Sequence, residues 1–567
     1  MVLPALRRPE LRVHDSSNAS AASHLVEARD TRLLSLLRFV PVLAVAAALA
    51  SALTTLLRLP VLLSATYRYG DAPELSFIAQ AIATGHGPQA LATQTSIVVV
   101  WFETLVNTLP FHAALDYWVG PAIAMAAIVV IVLTARRLAG PRAWQPAAIA
   151  LVVLPPTILS TLLFPDNHVT TILGMALLAW LLVGDLKGTG HRNTNLAVGL
   201  LCGVLVVSDP QLLVTGVIPY IAATIIVRQR RREIAVKSFL AAVAGIAAGA
   251  VASEVVMAMQ EIRVVSALPG TPLALNITDG FGIAMQTGAW TALGTWYGAA
   301  FTLAGLAVLG CGLVGAGIAF LRRRRAPRRV RETPVTDAAS FGYRCFWVVG
   351  IIGLLGTFLV LGYGHQPLDG HYLTPCYFAA AALAAAWYTS AQRRGHTTQP
   401  RARARAAAGV ATVAFAAFAA HTAYANATID PASFNDHRAV SSASDPLALL
   451  TAHHLSRGYA SYWLAYDLDW RSEGSLSMWP VLAAPSACAG QTGALCPYSF
   501  GPEGEYKPVA GSSFIVTESI AGRCLPASPP VSVFGEPVSV YRVGTTTVSV
   551  YSYDVASRFS KTTKLFC

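Results

Sequence analysis

Long runs of uncharged, apolar residues dominate the chain as far as residue 429. A helix needs roughly 20 apolar residues to cross the hydrocarbon core of a bilayer. The runs that approach this length without Lys, Arg, Asp or Glu are residues 39–57, 118–135, 143–165, 169–184, 194–208, 210–227, 238–253, part of 280–321, 345–364, 372–392 and 406–429. They predict a polytopic α-helical membrane protein with about 11 transmembrane helices.

Two shorter patterns lie between the first two runs. Residues 75–84 place apolar side chains on one side of a helix, and a Gly-His-Gly-Pro sequence follows them. Residues 96–109 are apolar but contain Glu103. We expect this second segment to lie along the outer membrane surface, because it is short and charged.

The pattern changes after residue 430. A polar linker leads into an apolar, helix-like segment at residues 446–455. Alternating segments typical of strands follow at 512–517, 531–534, 538–543 and 548–553. This part of the chain is expected to form a small mixed α/β domain.

Composition supports a membrane protein. The 567 residues are 54% hydrophobic and only 12% charged, with a mean hydropathy of +0.53, outside the range of soluble domains. The sequence therefore predicts three parts, which are an N-terminal segment (1–38), a transmembrane domain (39–428) and a C-terminal domain (429–567).

Basic residues are distributed unevenly between the two sides of the membrane. Clusters at 136–137, 228–232, 322–331 and 393–405 fall in every second loop. This positive-inside pattern predicts a cytoplasmic N-terminus and an extracytoplasmic C-terminal domain at the plasma (inner) membrane. The net charge of +12 thus reflects topology, and we expect no nucleic-acid partner.

The C-terminal domain contains four of the eight cysteines. An even number in an oxidising compartment predicts two disulfides, with three possible pairings. The chain has no CxxC pair, which argues against a zinc site. The four residues are Cys488, Cys496, Cys524 and Cys567.

An acidic stretch immediately after the first span contains Asp71 and Glu74. Charge near lipid is costly, and carboxylates three apart at a helix start lie on one side. Such groups accept a proton from a hydroxyl or hold a cation. The structural alternative is that they cap the following helix at its positive end.

A second acidic position lies between two spans on the same side. Asp166 is followed by Asn167 and His168, a clustering that favours a functional site. A plain helix N-cap at Asp166 would account for the same residues. A divalent cation at these positions is a candidate cofactor, and its identity stays open.

Two further sets of outer residues suggest substrate binding. His371 and Tyr372 close a short loop that also holds His365 and Asp369, where histidine can donate to a phosphate or a sugar or bind a cation. Outer cations able to pair with a lipid phosphate are Arg68 and Arg263, with Arg58 also explained by its place at the membrane interface.

Aromatic residues in the C-terminal domain are the last candidates. Tyr462 and Trp463 offer flat faces on which a sugar could stack. Packing in an ordinary domain core is the alternative.

With these residues in view, the chain resembles the GT-C superfamily of polyprenyl-phosphate-dependent glycosyltransferases. It looks most similar to the bacterial relatives of protein O-mannosyltransferases and aminoarabinose transferases. The segments that resemble the family's motifs are Gly70-Asp71-Ala72-Pro73-Glu74 with the helix after it, Leu138-Ala139-Gly140, Pro165-Asp166, and His371-Tyr372-Leu373-Thr374-Pro375. The last is similar to an R-Y-L-x-P motif, with His371 in place of Arg.

The resemblance implies a fold and a reaction. It implies that a polyprenyl-phosphate sugar enters from the bilayer and that an envelope glycan, lipid or protein accepts the sugar. Asp71 would act as general base in an inverting transfer, and Asp166 would assist it or hold a cation. Glu74, Arg68, His168, Arg263, His371 and Tyr372 would bind substrate.

Two other functions compete with this one. A transporter or lipid flippase would place charges or broken helices near the membrane middle. The only candidates are Asp209-Pro210 and Glu254, and both lie toward helix ends. A non-catalytic envelope scaffold would use the C-terminal domain to bind glycan or protein.

Overall fold

A computed structural model supplies the coordinates of the protein. It describes residues 40–66, 71–83, 85, 89–92, 96–109, 115–141, 143–163, 167–228, 236–265, 274, 276–280, 282–283, 335–361, 372–383, 401–429, 445–472, 475–482, 495–497, 501–502, 506–518 and 531–559.

The membrane domain is helical throughout its longer described segments. Its helices are α1 (Val40–Thr66), α2 (Asp71–Ala83), α3 (Ile97–Val106), α4 (Val119–Ala139), α5 (Trp144–Leu151), α6 (Pro156–Leu163), α7 (Asn167–Leu186), α8 (Arg192–Ser208), α9 (Ile218–Arg228), α10 (Val236–Met259), α11 (Val335–Leu361), α12 (Thr374–Leu383) and α13 (Arg401–Thr428). A π-helical turn, Leu213–Val217, leads into α9.

Five helical segments within the described residues are long and apolar enough to cross a membrane. They are Pro41–Leu63, Val119–Ala139, His168–Leu186, Val236–Met259 and Ala338–Val360. Shorter apolar helices occupy several of the other predicted spans, and much of the run at 280–321 lies outside the described residues. The expected total of about 11 spans therefore stays a prediction.

The predicted run at 143–165 is two short helices, α5 and α6, rather than one. The break falls at Pro155 and Pro156. Proline lacks an amide hydrogen and clashes with the preceding turn, so it ends α5, whereas its fixed φ suits the first position of α6. A continuous span here was the wrong expectation.

Arg58 ties the first helix to the last one. Its guanidinium donates hydrogen bonds to the carbonyls of Ala427 (3.2 Å) and Ile429 (2.6 Å), at the C-terminal end of α13. Unpaired carbonyls at a helix C-terminus carry partial negative charge, so a cation stabilises them. This contact gives Arg58 a structural role.

Helix α7 lies at the centre of the membrane domain. In the most apolar 18-residue stretch of this helix, 83% of the residues are buried, compared with 22–39% in the other four candidate spans. Beside it, α8 and α10 pack so closely that a Cβ added at Gly203 would overlap the carbonyl oxygen of Ile246. Small residues allow this close approach. In lipid no hydrophobic force drives helices together, so close backbone packing stabilises the pair instead.

The C-terminal domain contains a six-stranded mixed sheet. Its strands are β3 (Arg457–Ala460), β4 (Ser477–Leu482), β5 (Cys496–Pro497), β7 (Ser513–Glu518), β8 (Ser539–Val543) and β9 (Thr546–Tyr551). Their order in the sheet is β5-β4-β3-β7-β9-β8, with β3 parallel to both β4 and β7 and the remaining pairs antiparallel. Helices α14 (Leu447–Ala452) and α15 (Tyr462–Arg471) accompany it.

Three of the four predicted tail strands are confirmed as β7, β8 and β9. The fourth expectation, a strand at residues 531–534, is wrong, since Val531–Phe534 is a single helical turn, α16. Phe534 is buried there and Gly535 follows with φ +72°, a conformation that ends helical turns.

A second, three-stranded sheet joins the two domains. Strand β1 (Gln89–Ala92), which follows α2 in the chain, pairs in parallel with β2 (Ile262–Val265), which follows α10. On its other side β1 pairs antiparallel with β6 (Gly501–Pro502) of the C-terminal domain. Two loops of the membrane domain and the C-terminal domain are therefore joined by backbone hydrogen bonds. We call this three-stranded unit the joint sheet.

Candidate functional site

The acidic stretch begins helix α2. Asp71 is the first residue of this helix, and Glu74 follows in its first turn. Glu74 is only 4% exposed, and its Oε2 accepts a hydrogen bond from the Tyr462 hydroxyl of the C-terminal domain at 2.5 Å. The carboxyl group of Glu74 in α2 therefore contacts a side chain of the C-terminal domain.

Aromatic rings extend this contact along α2. Phe77 lies 5.4 Å from Tyr466 of α15 and 5.5 Å from Trp479 of β4, measured between ring centroids. The opposite, apolar side of α2 packs on α3 through residues such as Leu75 and Ile78. Helix α2 is thus enclosed between α3 and the C-terminal domain.

A buried carboxylate in α3 was not among the predicted site residues. Glu103 is fully buried, and its Oε2 accepts a hydrogen bond from Ser76 of α2 at 3.1 Å. Its Oε1 has no hydrogen-bond partner among the described residues. Burial raises the pKa of the Glu103 carboxyl well above its usual value, and nearby Asp116 raises it further. A charge interrupting an apolar run was the sequence signal that marked this residue.

The motifs around Asp166 and His371 come together in space. The rings of His168 and Tyr372 pack edge to face, with centroids 4.6 Å apart. In the same two parts of the chain, the Thr374 hydroxyl donates to that of Thr161 in α6 at 3.1 Å. Both rings are buried, so this contact is part of the packed domain.

A band of buried hydroxyl groups links α3, α7 and α8 near the same residues. The Ser96 hydroxyl, which caps α3, lies 2.7 Å from that of Ser208 and 3.4 Å from that of Thr170. Asp209 accepts hydrogen bonds from the Thr171 hydroxyl and from the Gln211 amide. Together with His168, these groups form a polar layer at one end of α7.

The remaining predicted residues are placed as follows. Arg263 is exposed in β2, where its backbone pairs with that of Ala90. Trp463 is the second residue of α15. Three predicted residues lie outside the described part of the chain, namely Arg68, Asp166 and His371.

The expectations about metal and disulfides stay predictions. Across the part of the chain that the structure describes, no three His, Cys, Asp or Glu side chains are close enough to hold a metal ion. Cys496 is buried in β5, whereas the other three cysteines of the C-terminal domain lie outside the described residues. The thiols of Cys202 and Cys376 are free.

Comparison with known proteins gives only weak likenesses. No family model matches the chain, and no curated protein matches it. Among solved structures, it is similar to ArnT from Cupriavidus metallidurans bound to undecaprenyl phosphate, with 12% identity and a TM-score of 0.47, over 88% of this chain and 97% of that one.

A second similar structure is the archaeal oligosaccharyltransferase AglB from Archaeoglobus fulgidus in complex with an inhibitory peptide and a dolichol-phosphate. It is 13% identical with a TM-score of 0.36, over 78% of this chain and 64% of that one. At these identities and TM-scores the likeness assigns no activity, and a function has to be argued from this chain's own residues.

Proposed function

We propose that the protein is a membrane glycosyltransferase that moves a sugar from a polyprenyl-phosphate donor to an envelope glycan, lipid or protein. The observation that carries this proposal is the packing of His168 against Tyr372. Tyr372 belongs to one of the motifs on which the family resemblance rests, and His168 lies two residues after another, Pro165-Asp166, some 200 positions earlier in the chain. Their contact supports the proposal because a shared site requires these two parts of the chain to lie together.

The enclosure of α2 supports the same proposal. Asp71 and Glu74 occupy the first turn of a helix that is covered by the C-terminal domain. Cover of this kind excludes water, which strengthens electrostatic interactions and protects a reactive donor from hydrolysis.

The reaction then follows from the residues. Asp71 accepts the proton of the acceptor hydroxyl, and the acceptor oxygen forms a bond to the anomeric carbon on the face opposite the phosphate. The bond between that carbon and the phosphate oxygen breaks, and its electron pair leaves with the polyprenyl phosphate. The configuration at the anomeric carbon is inverted.

The leaving phosphate needs compensation of its charge. Arg68 and Arg263 are the outer cations proposed for this role, and histidines at 168 and 371 are proposed donors to the sugar or the phosphate. Asp166 would assist Asp71 or hold a divalent cation.

The buried acid of the central helix is not itself a candidate transport site. Asp185 lies in the last turn of α7, where it accepts hydrogen bonds from Tyr220 and Asn195, each at 2.8 Å. A carboxylate satisfied at a helix end is a structural element, whereas transport sites place such groups near the membrane midplane.

The test is sugar transfer by membranes that contain the protein. Membranes would receive a panel of labelled polyprenyl-phosphate sugars, and wild type would be compared with Asp71→Asn at equal expression. We expect one donor to be used and the variant to lose about 100- to 10,000-fold in rate, as for removal of a general base. Glu536→Gln is the matched control, because Glu536 is exposed beside β8, the edge strand farthest from β4.

Each contrary result has a distinct meaning. Equal transfer by wild type and Asp71→Asn would remove Asp71 as the base and keep the enzyme class. No transfer by wild type from any donor would refute the proposed function and favour the transporter or the scaffold, which substrate flux in proteoliposomes would separate.

A further inference from the structure

A tyrosine of the C-terminal domain is bonded to the acidic helix of the first outer loop. Tyr462 is the first residue of α15, and its hydroxyl donates to Glu74 Oε2 across 388 positions of sequence. Both side chains are buried. A hydrogen bond of a hydroxyl to a buried carboxyl oxygen is a strong contact, because burial excludes the water that would compete for it.

The rings around this bond reinforce it. Tyr462 packs edge to face on Tyr466, with centroids 5.4 Å apart, and Tyr466 in turn contacts Phe77 of α2. Helix α15 therefore contacts α2 at two successive turns, through the Tyr462 hydroxyl and through the Tyr466 ring. Helix α2 itself belongs to an outer loop and depends on such contacts for its orientation.

The joint sheet holds the same segment at its other end. Strand β1 follows α2 closely in the chain and pairs with β6 of the C-terminal domain through Gln89 and Ala90. The C-terminal domain thus restrains the segment that carries Asp71 both at the start of α2 and beyond its end.

We propose that Tyr462 is a positioning residue for the reaction, through which the C-terminal domain sets the orientation of the α2 carboxylates. This inference rests on the proposed function. Asp71 lies one helical turn before Glu74, so a rotation of α2 that follows loss of the Tyr462 contact moves Asp71 as well. Displacing a reacting group by about 1 Å can cost 100-fold in rate.

The experiment compares Tyr462→Phe with Tyr553→Phe. The first removes only the hydroxyl that reaches Glu74. The second removes a hydroxyl that donates to the Phe534 carbonyl at 2.6 Å, within the C-terminal domain, and serves as the matched control. Two readouts are taken on the full-length protein, namely the kinetics of sugar transfer and the rate of amide hydrogen exchange in residues 71–83.

For Tyr462→Phe we expect kcat to fall about tenfold or more, because one buried hydrogen bond to a carboxyl group is lost. KM for the lipid donor should change less than about twofold. Amides of α2 should exchange about tenfold faster, and those of β7 and β9 should not change. Tyr553→Phe should alter neither kcat nor exchange in α2.

A second pair of variants tests the Glu74 side of the contact. Glu74→Gln keeps an oxygen that can accept a hydrogen bond from Tyr462, so amide exchange in α2 should stay slow. Glu74→Ala should speed amide exchange in α2 as Tyr462→Phe does. Adding Tyr462→Phe to Glu74→Ala should cause little further exchange, because the two act through one contact.

The outcomes separate the two proposals. Unchanged α2 exchange and unchanged kcat in Tyr462→Phe would overturn the positioning role, as would faster exchange throughout β7 and β9, which indicates general loss of stability. If wild type transfers no sugar, the proposed function and the reaction role of Tyr462 fail together. If wild type transfers sugar and Tyr462→Phe matches it in both kcat and α2 exchange, the positioning role alone fails.

Discussion

The C-terminal domain should lose stability as the pH rises, because of one buried carboxyl in α15. Asp469 is 9% exposed, and its Oδ1 accepts a hydrogen bond from the Met478 amide at 3.1 Å. Burial raises the pKa of Asp469 from 3.8 to about 7, and the Met478 bond offsets only part of that rise. The carboxyl is therefore protonated in the folded domain at mildly acidic pH.

The sign and size of the effect follow from linkage. A group whose folded pKa is raised contributes stability that is fully present below the unfolded pKa and is lost as pH rises through the folded pKa. Between pH 3.8 and about 7 the folded state holds a proton that the unfolded chain has released. The full window corresponds to about 4 kcal/mol, of which about 2 kcal/mol falls between pH 5 and 7.

Asp469→Asn removes this titration and keeps an oxygen for the Met478 amide. Pulse proteolysis of the full-length protein across a urea gradient, at several values between pH 5 and 8, would report the free energy of unfolding of the C-terminal domain. We expect the difference in this free energy, variant minus wild type, to grow by about 2 kcal/mol from pH 5 to 7. Glu536→Gln should leave the pH dependence of wild type intact, and a parallel profile for Asp469→Asn would refute the reasoning.

Two further predictions concern packing in the membrane domain. Gly203→Leu should lower the free energy of unfolding by about 3 kcal/mol or prevent folding, because the backbone of α10 at Ile246 cannot move away. Gly356→Ala is the control, since its added Cβ would have no neighbour within 4 Å, and it should not change the melting temperature in detergent. Equal melting of the two variants would contradict the close approach of α8 and α10. Glu103→Gln should become progressively more stable relative to wild type as the pH rises above 4.5, the ordinary pKa of this carboxyl, because burial raises the pKa of Glu103 and makes its ionisation costly in the folded state. A stability difference that is constant with pH would contradict this reasoning.

Local patterns in the sequence predicted the elements whose cause is local. The helix after Asp71 is present, because its apolar residues recur at helical spacing, and it begins at the acidic residues as their preference for helix starts requires. The five helical segments that can cross a membrane coincide with predicted apolar runs, because length and apolarity are sufficient signals for them. Strands β7, β8 and β9 follow from alternation and turn residues.

The errors occur where a local signal was ambiguous. Val531–Phe534 alternates like a strand, but four residues are too few to distinguish a strand from a helical turn. The run at 143–165 is apolar enough to span a bilayer, and only the adjacent prolines at 155 and 156 indicate that it is divided. Strand β1, with the sequence Gln-Ala-Leu-Ala, has little intrinsic preference for a sheet and is fixed by its two partners.

The candidate site was only partly foreseeable. Residue type and position selected Glu74, His168 and Tyr372, and the structure adds that the last two touch. The partner of Glu74 was hidden, because a hydrogen bond to Tyr462 depends on how two domains meet and leaves no trace in local periodicity. Glu103 was visible as a charge in an apolar run, although its burial was not.

The joint sheet has a consequence for the order in which the chain folds. Its three strands are drawn from residues 89–92, 262–265 and 501–502, so the middle strand, β1, is synthesised long before β6. Pairing between such distant segments carries a large loop-closure cost and is slow to form. During synthesis β1 therefore passes through a period with an unpaired edge, which ends only when the C-terminal domain has been made and has folded.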